Sequence, residues 1–218
     1  MKNLIFAISL SFISTFTLAA PIRSVLHSTL YEAVKAHLAH SPESREMALR
    51  SMGRDAKETL SDIAFEKTES LSTRWKALVT LGRLDPKFAV PSLEKALAST
   101  EWFMRNAALI VVPYGNRDWA IKKARIAMHD PALVVRTAAV KVLADVRAIE
   151  ASPLLWEKMN ASENFRRGQS LWIRPIISET LAHMARPEDA KSFEKLLKDT
   201  DPKVQAQARI ALAKIAQL

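Results

Sequence analysis

The sequence predicts an all-α protein: a right-handed α-α superhelix, or α-solenoid, of about five to six helix pairs. Three observations carry this. One pattern returns at a fixed interval, as STRWKALVTLGRL (72–84), FMRNAALIVVPYG (103–115) and VVRTAAVKVLADV (134–146), and a period of that size marks a stacked array. Glycine is scarce, 4 in 218 residues, whereas sheet proteins need it for tight turns. The chain is rich in Ala, Leu, Lys, Arg and Glu, the residues that lose least on entering a helix. Hydrophobic residues at 49% and charged residues at 25% fit a folded domain rather than a disordered chain.

The chain begins MKNLIFAISLSFISTFTLAA, with Lys2, an uncharged run from Leu4 to Leu18, then Ala19 and Ala20. This reads as a secretory signal peptide over residues 1–19, cleaved after Ala19. The run is shorter than the roughly 20 apolar residues of a membrane span. Export to the periplasm or the secreted space is therefore expected, with no integral membrane segment after cleavage. There is no cysteine, which excludes disulfides, a lipidated cysteine and cysteine-based zinc sites. The net charge of +9 suits acidic partners or anionic surfaces.

Residues 20–218 form one repeat domain on this reading. Residues 20–40, with Val25, Leu26, Leu30, Val34 and Leu38, form an N-terminal capping helix. Arginines then mark the register at Arg45, Arg74, Arg105, Arg136 and Arg174, with Gln205 in the last unit. Three residues after each stand Ala48, Ala77, Ala108, Ala139, Ile177 and Ala208, and seven after stand Met52, Leu81, Val112, Leu143, Leu181 and Leu212. These offsets share one helix face. A second helical segment follows each first helix, through Leu60–Phe65, Phe88–Leu97, Trp119–Met128, Leu154–Met159 and Phe193–Leu197. Ser41-Pro42, Asp85-Pro86, Asp130-Pro131, Ser152-Pro153 and Asp201-Pro202 read as helix starts, a capping side chain before a proline that lacks the orphan N–H. Gly53 and Gly82 are expected to end first helices. Pro175 is expected to begin one.

LDPKFAVPSLEKAL (84–97) and HDPALVVRTAAVKVLADV (129–146) resemble the HEAT-like repeats first noted in phycobilin lyases. Asp-Pro, Val-Arg, then Ala and Leu on one face, and Ala-Val-Pro-x-Leu in the second helix carry the resemblance, over about residues 41–218. It implies an armadillo-like helical array, and such arrays serve as scaffolds, adaptors and occasionally enzymes. It also implies that second helices line the concave side.

The arginines at Arg45, Arg74, Arg105, Arg136 and Arg174 are read as a structural ladder that ties neighbouring units. His37 and His40 share a helix face without a third ligand, so no metal is expected, and no histidine is followed by the Glu of repeat hydroxylases. No cofactor is expected. Without a Gly-x-Ser-x-Gly elbow or phosphate loop, the protein is expected not to be an enzyme. Nucleic acid is not expected either, because the leader directs the chain away from genomic DNA.

Two features stand out as binding candidates. The interval from Arg136 to Arg174 is 38 residues, which places an insertion at 160–174 bearing Phe165, Arg166, Arg167 and Trp172. Arginine and tryptophan are enriched at binding hot spots. The segment RDWAIKKARIAM (117–128) carries Arg117, Lys122, Lys123 and Arg125, and on the concave side that the resemblance implies, Lys95, Lys122, Lys123 and Lys158 would form a positive groove. The expected function is a non-enzymatic scaffold or adaptor that holds a partner protein or peptide on its concave face or at the 160–174 loop. The alternative is charge-driven binding of anionic envelope polymers or lipid head groups.

Overall fold

A computed structural model of the chain describes residues 19–217, with side chains from residue 28 onward. The assigned leader lies outside the described residues up to position 18, as do the side chains of Val25 and Leu26. The helices run α1 Ala19–His37, α2 Pro42–Ser51, α3 Gly53–Phe65, α4 Leu71–Leu84, α5 Pro86–Leu97, α6 Trp102–Val111, α7 Arg117–Ala127, α8 Leu133–Asp145, α9 Ser152–Met159, α10 Ile173–His183, α11 Ala190–Leu196 and α12 Pro202–Ile215. They form an all-α solenoid. Five pairs, α2–α3 to α10–α11, are preceded by α1 and followed by α12. First helices stack in series, α4 on α6, α6 on α8, α8 on α10 and α10 on α12. Each second helix also packs on the first helix of the next unit, as α3 does on α4 and α7 on α8.

The offsets from the arginines explain the stacking. Ala77, Ala108, Ala139 and Ala208 are fully buried, and so are Leu81, Val112 and Leu143. The alanine admits the neighbouring helix and the larger side chain fills the space beside it. Leu97 and Trp119 pack against both the N-terminal and the C-terminal core cluster, and α6 supplies residues to each. The core is therefore continuous along the array, as it must be where no single unit can bury its own apolar face.

The starts hold at three of the five proposed caps. Ser41 accepts from the Ser44 N–H, Asp85 from Phe88 and Asp201 from Lys203. Asp130 instead accepts from the Ala132 N–H and holds Arg105, while α8 begins at Leu133. Ser152 is the first residue of α9, with a buried hydroxyl and no partner. Helix α10 begins two residues before Pro175, which sits in the first turn, where a missing N–H leaves no intrahelical bond unmade. Gly82 does not end a helix. It lies inside α4, and a Cβ there would meet Val111 Cγ2 at 2.4 Å. Its role is close approach of α4 and α6. Gly53 does mark a break, with φ +71 between α2 and α3.

Candidate functional site

The arginine ladder lies inside the stack. Arg74 donates to both Glu101 carboxylate oxygens at 2.9 and 2.6 Å, and to the Ala64 carbonyl. Arg105 grips Asp130 at 2.6 and 2.8 Å and donates to the Ser99 and Thr100 carbonyls. Arg136 meets Asn164 Oδ1 and the carbonyls of Asp130, Pro131 and Glu163. Arg174 donates to Asp199 at 3.2 and 2.6 Å and to the Met159 carbonyl. Each thus joins the end of the preceding second helix, or the loop after it, to the loop after its own unit. Gln205, at the same register, donates to the Asp199 carbonyl at 2.6 Å and accepts from Arg209 at 3.1 Å.

Arg45 departs from the ladder. It is buried, and among the described residues its Nε and Nη1 have no acceptor. The acid in the matching loop, Glu69, is held by Lys35 at 2.6 Å and by the Tyr31 hydroxyl at 3.2 Å, both from α1. Glu46, beside Arg45, pairs at 3.3 Å with Arg83 near the far end of α4, so α2 does not run in register with the later first helices. Burial, with Arg83 adding to it, lowers the proton affinity of Arg45 against the opposing pull of Glu46 and Glu43.

The insertion is an ordered hairpin. Strands β1 (Phe165–Arg166) and β2 (Gln169–Ser170) pair antiparallel, and Arg167 (φ 51) and Gly168 (φ 78) form the two-residue turn. Two consecutive positive φ values match the twist of a tight hairpin. Its base is clamped: Asn164 is fully buried, bonded to Arg136 and donating to the Lys158 carbonyl at 2.8 Å. Phe165 lies under the Arg174 guanidinium, 4.3 Å from the ring centroid, which makes it part of the anchor. Arg166 and Arg167 are exposed at the tip.

Trp172 follows the hairpin and is 58% exposed, yet its indole N–H is fixed to Thr137 Oγ1 at 3.1 Å. Thr137 lines an open groove of about 340 Å³ between α6 and α8, floored by Leu109, Ile110, Val134 and Ala138 and edged by Asn106, Lys141, Asp145 and Tyr114. Tyr114, 56% exposed, also borders a second cleft of about 710 Å³ with Leu84, Pro86, Val90 and Trp119. Groove, cleft and hairpin therefore form one surface. Burial pushes the Asp145 carboxyl up, against the opposing pull of Lys141.

The α7 cations sit elsewhere. Lys123 pairs with Glu94 at 2.5 Å, Lys158 is buried beside Glu163 at 3.2 Å, and Lys95 stands 3.9 Å over the Phe65 ring. Arg117 holds Glu150. Of the cations proposed there, Lys95, Lys122 and Arg125 remain exposed and without an ion pair among the described residues. The Lys123 hydrogen bond, helped by the Trp119 N–H, keeps the Glu94 carboxyl below its usual range. His37 and His40 touch edge to face at 5.4 Å, and no cluster of three or more possible metal ligands occurs among the described residues. No described helix is long and apolar enough to cross a membrane.

Asn106, Tyr114, Lys141 and Asp145 escaped the sequence reading. They stand one, five or nine residues after the register arginine, on the outer stripe of the first helices and, for Tyr114, of the 3-10 turn Val112–Tyr114 that follows α6. Reading that stripe across units, beside the buried one, would have gathered them.

The fold defines a helical-repeat protein. No family model and no curated protein matches the sequence. Among solved structures, a designed armadillo repeat protein in complex with peptide (KR)4 is similar at TM-score 0.57 and 16% identity, over 90% of this chain and 95% of that one. An engineered protein is similar at TM-score 0.57 and 16% identity, over 89% and 93%. The complex of CpcE and CpcF of phycocyanin lyase from Nostoc has TM-score 0.47 at 16% identity, over 94% and 79%. At these identities the likeness of the two structures at TM-score 0.57 is one of fold.

Proposed function

We propose that the protein is a non-enzymatic scaffold, exported to the cell envelope or the secreted space, that holds a partner protein or peptide on the groove and hairpin surface. The observation that carries this is Trp172: a large, mostly exposed ring whose N–H is already fixed to Thr137 at the edge of an apolar groove. A side chain held in place before binding loses little freedom on association, and exposed aromatic anchors beside arginines are the usual centres of binding energy. Export rests on the signal-like run of residues 1–19. A solenoid of this fold was solved with the basic peptide (KR)4. The present chain is itself basic, so its partner is expected to be acidic.

A second reading is charge-driven binding of anionic polymers or lipid head groups, supported by the net charge of +9 and by exposed Lys122, Arg125, Arg166 and Arg167. The acids paired with Lys123 and Lys158 count against it. Capture from an envelope extract, using the wild type and Arg166→Glu/Arg167→Glu at two salt concentrations, separates the two. A protein retained by the wild type at both salts and lost in the variant supports the scaffold. Capture that vanishes equally for both at high salt contradicts it, since screening removes interactions between exposed charges.

A further inference from the structure

We propose that the groove between α6 and α8 takes an extended acidic peptide, its carboxylates towards the hairpin and an apolar side chain turned past Tyr114 into the larger cleft. This rests on the scaffold reading and specifies its partner. Three features of the surface argue for it.

The first is length. From Asn106 to Tyr114 the groove follows the second half of α6 and the 3-10 turn Val112–Tyr114, about 13 Å at 1.5 and 2.0 Å per residue. That is the reach of about four extended residues. The floor is apolar, so the inward side chains of the segment must be apolar too.

The second is charge. Arg166 and Arg167 are exposed on the hairpin that Trp172 ties to Thr137 of the groove, and among the described residues neither meets a carboxylate. Lys141 edges the middle of the groove, and Asp145 stands at the far end with Tyr114. Cations at one end and an acid at the other give the site a polarity. A peptide carboxylate is attracted at the hairpin and repelled beside Asp145.

The third is the cleft. Its walls are Leu84, Pro86, Val90, Tyr114 and Trp119. The Trp119 indole is held by Glu94 at 2.8 Å, so this wall is set before a ligand arrives. About 710 Å³ is ample for one leucine or phenylalanine side chain.

The test is fluorescence anisotropy of a labelled, end-blocked peptide, Asp-Glu-Leu-Ala-Leu-Phe, against the full chain. A peptide with both acids replaced by lysine and a polyglutamate chain serve as comparators. Trp172→Ala, Tyr114→Ala and Lys141→Glu should each weaken the acidic peptide about tenfold, while Lys122→Glu leaves it unchanged. All four positions are exposed, and unchanged thermal melting confirms that the variants fold. The inference is overturned by no binding at about 1 mM peptide, a very weak affinity, by equal binding of the lysine peptide or polyglutamate, or by indifference to Trp172→Ala and Tyr114→Ala. If the same groove variants still capture a partner from envelope extract and only the hairpin variant fails, the scaffold reading stands and this inference falls. If the wild type captures nothing, both fall.

Discussion

Arg105 and Asp130 face each other through two hydrogen bonds, Nε to Oδ2 at 2.6 Å and Nη2 to Oδ1 at 2.8 Å, with side chains 15% and 9% exposed. One residue belongs to a first helix and the other to the loop that leads into the next. Removing one partner leaves a poorly hydrated charge without its mate. Asp130→Ala should therefore cost about 3 kcal/mol, measured by urea unfolding. The double variant Arg105→Met/Asp130→Leu should cost less than Asp130→Ala alone. A double variant worse than either single change would mean that the pair is a net source of stability.

The ladder also sets a pH dependence. At Asp130 and Asp199 burial pushes the carboxyl up, but the hydrogen bonds and charge of the facing arginine, with a loop N–H, bring it below its ordinary value. At Glu101 the Arg74 hydrogen bonds are the main cause of a lowered value. A carboxyl depressed by folding stabilises fully above its unfolded pKa of about 4, and that stability is lost as pH falls through the folded value. The melting temperature should thus fall steeply below about pH 4, and less steeply in Asp130→Asn. Equal slopes would show that Asp130 does not contribute.

Arg45 offers a contrast inside the same motif. Arg74→Met should lose about 3 kcal/mol, because Glu101 and the Ala64 carbonyl lose their donor. Arg45→Met should be within about 1 kcal/mol of wild type or more stable, since it removes a buried cation whose Nε and Nη1 have no acceptor among the described residues. Paired denaturation curves decide it. A large loss at Arg45 would indicate an acceptor that these contacts do not include.

Gly82 gives a steric test. Gly82→Ala places a methyl group 2.4 Å from Val111 Cγ2 and should destabilise by about 1–3 kcal/mol. Adding Val111→Ala should recover part of that loss. If Gly82→Ala stabilises through better helix propensity, the close approach of α4 and α6 has been overstated.

The array was legible because stacking imposes the same requirement on each unit. An alanine at one offset and a large apolar residue at another recur, and periodicity reports them. The 160–174 insertion was legible as a break in the interval. Its hairpin was not, because two-residue strands carry no alternation to read, although Arg167-Gly168 sits where a tight turn needs positive φ. The error at Gly82 has the same source: glycine serves both helix ends and close packing, and only the neighbouring Val111 tells them apart. Arg45 kept its place in the sequence register while α2 turned out of register in space. The pairing of Lys123 and Lys158 with acids was hidden because those partners come from other segments of the chain.

The central claim is that a partner lies on the groove and hairpin rather than on the α7 cations. Hydrogen exchange of the captured complex against the free chain tests it most directly. The account predicts slowed exchange at 106–114, 134–145 and 165–172, with 117–127 unchanged. Protection confined to 117–127, around Lys122 and Arg125, would contradict it.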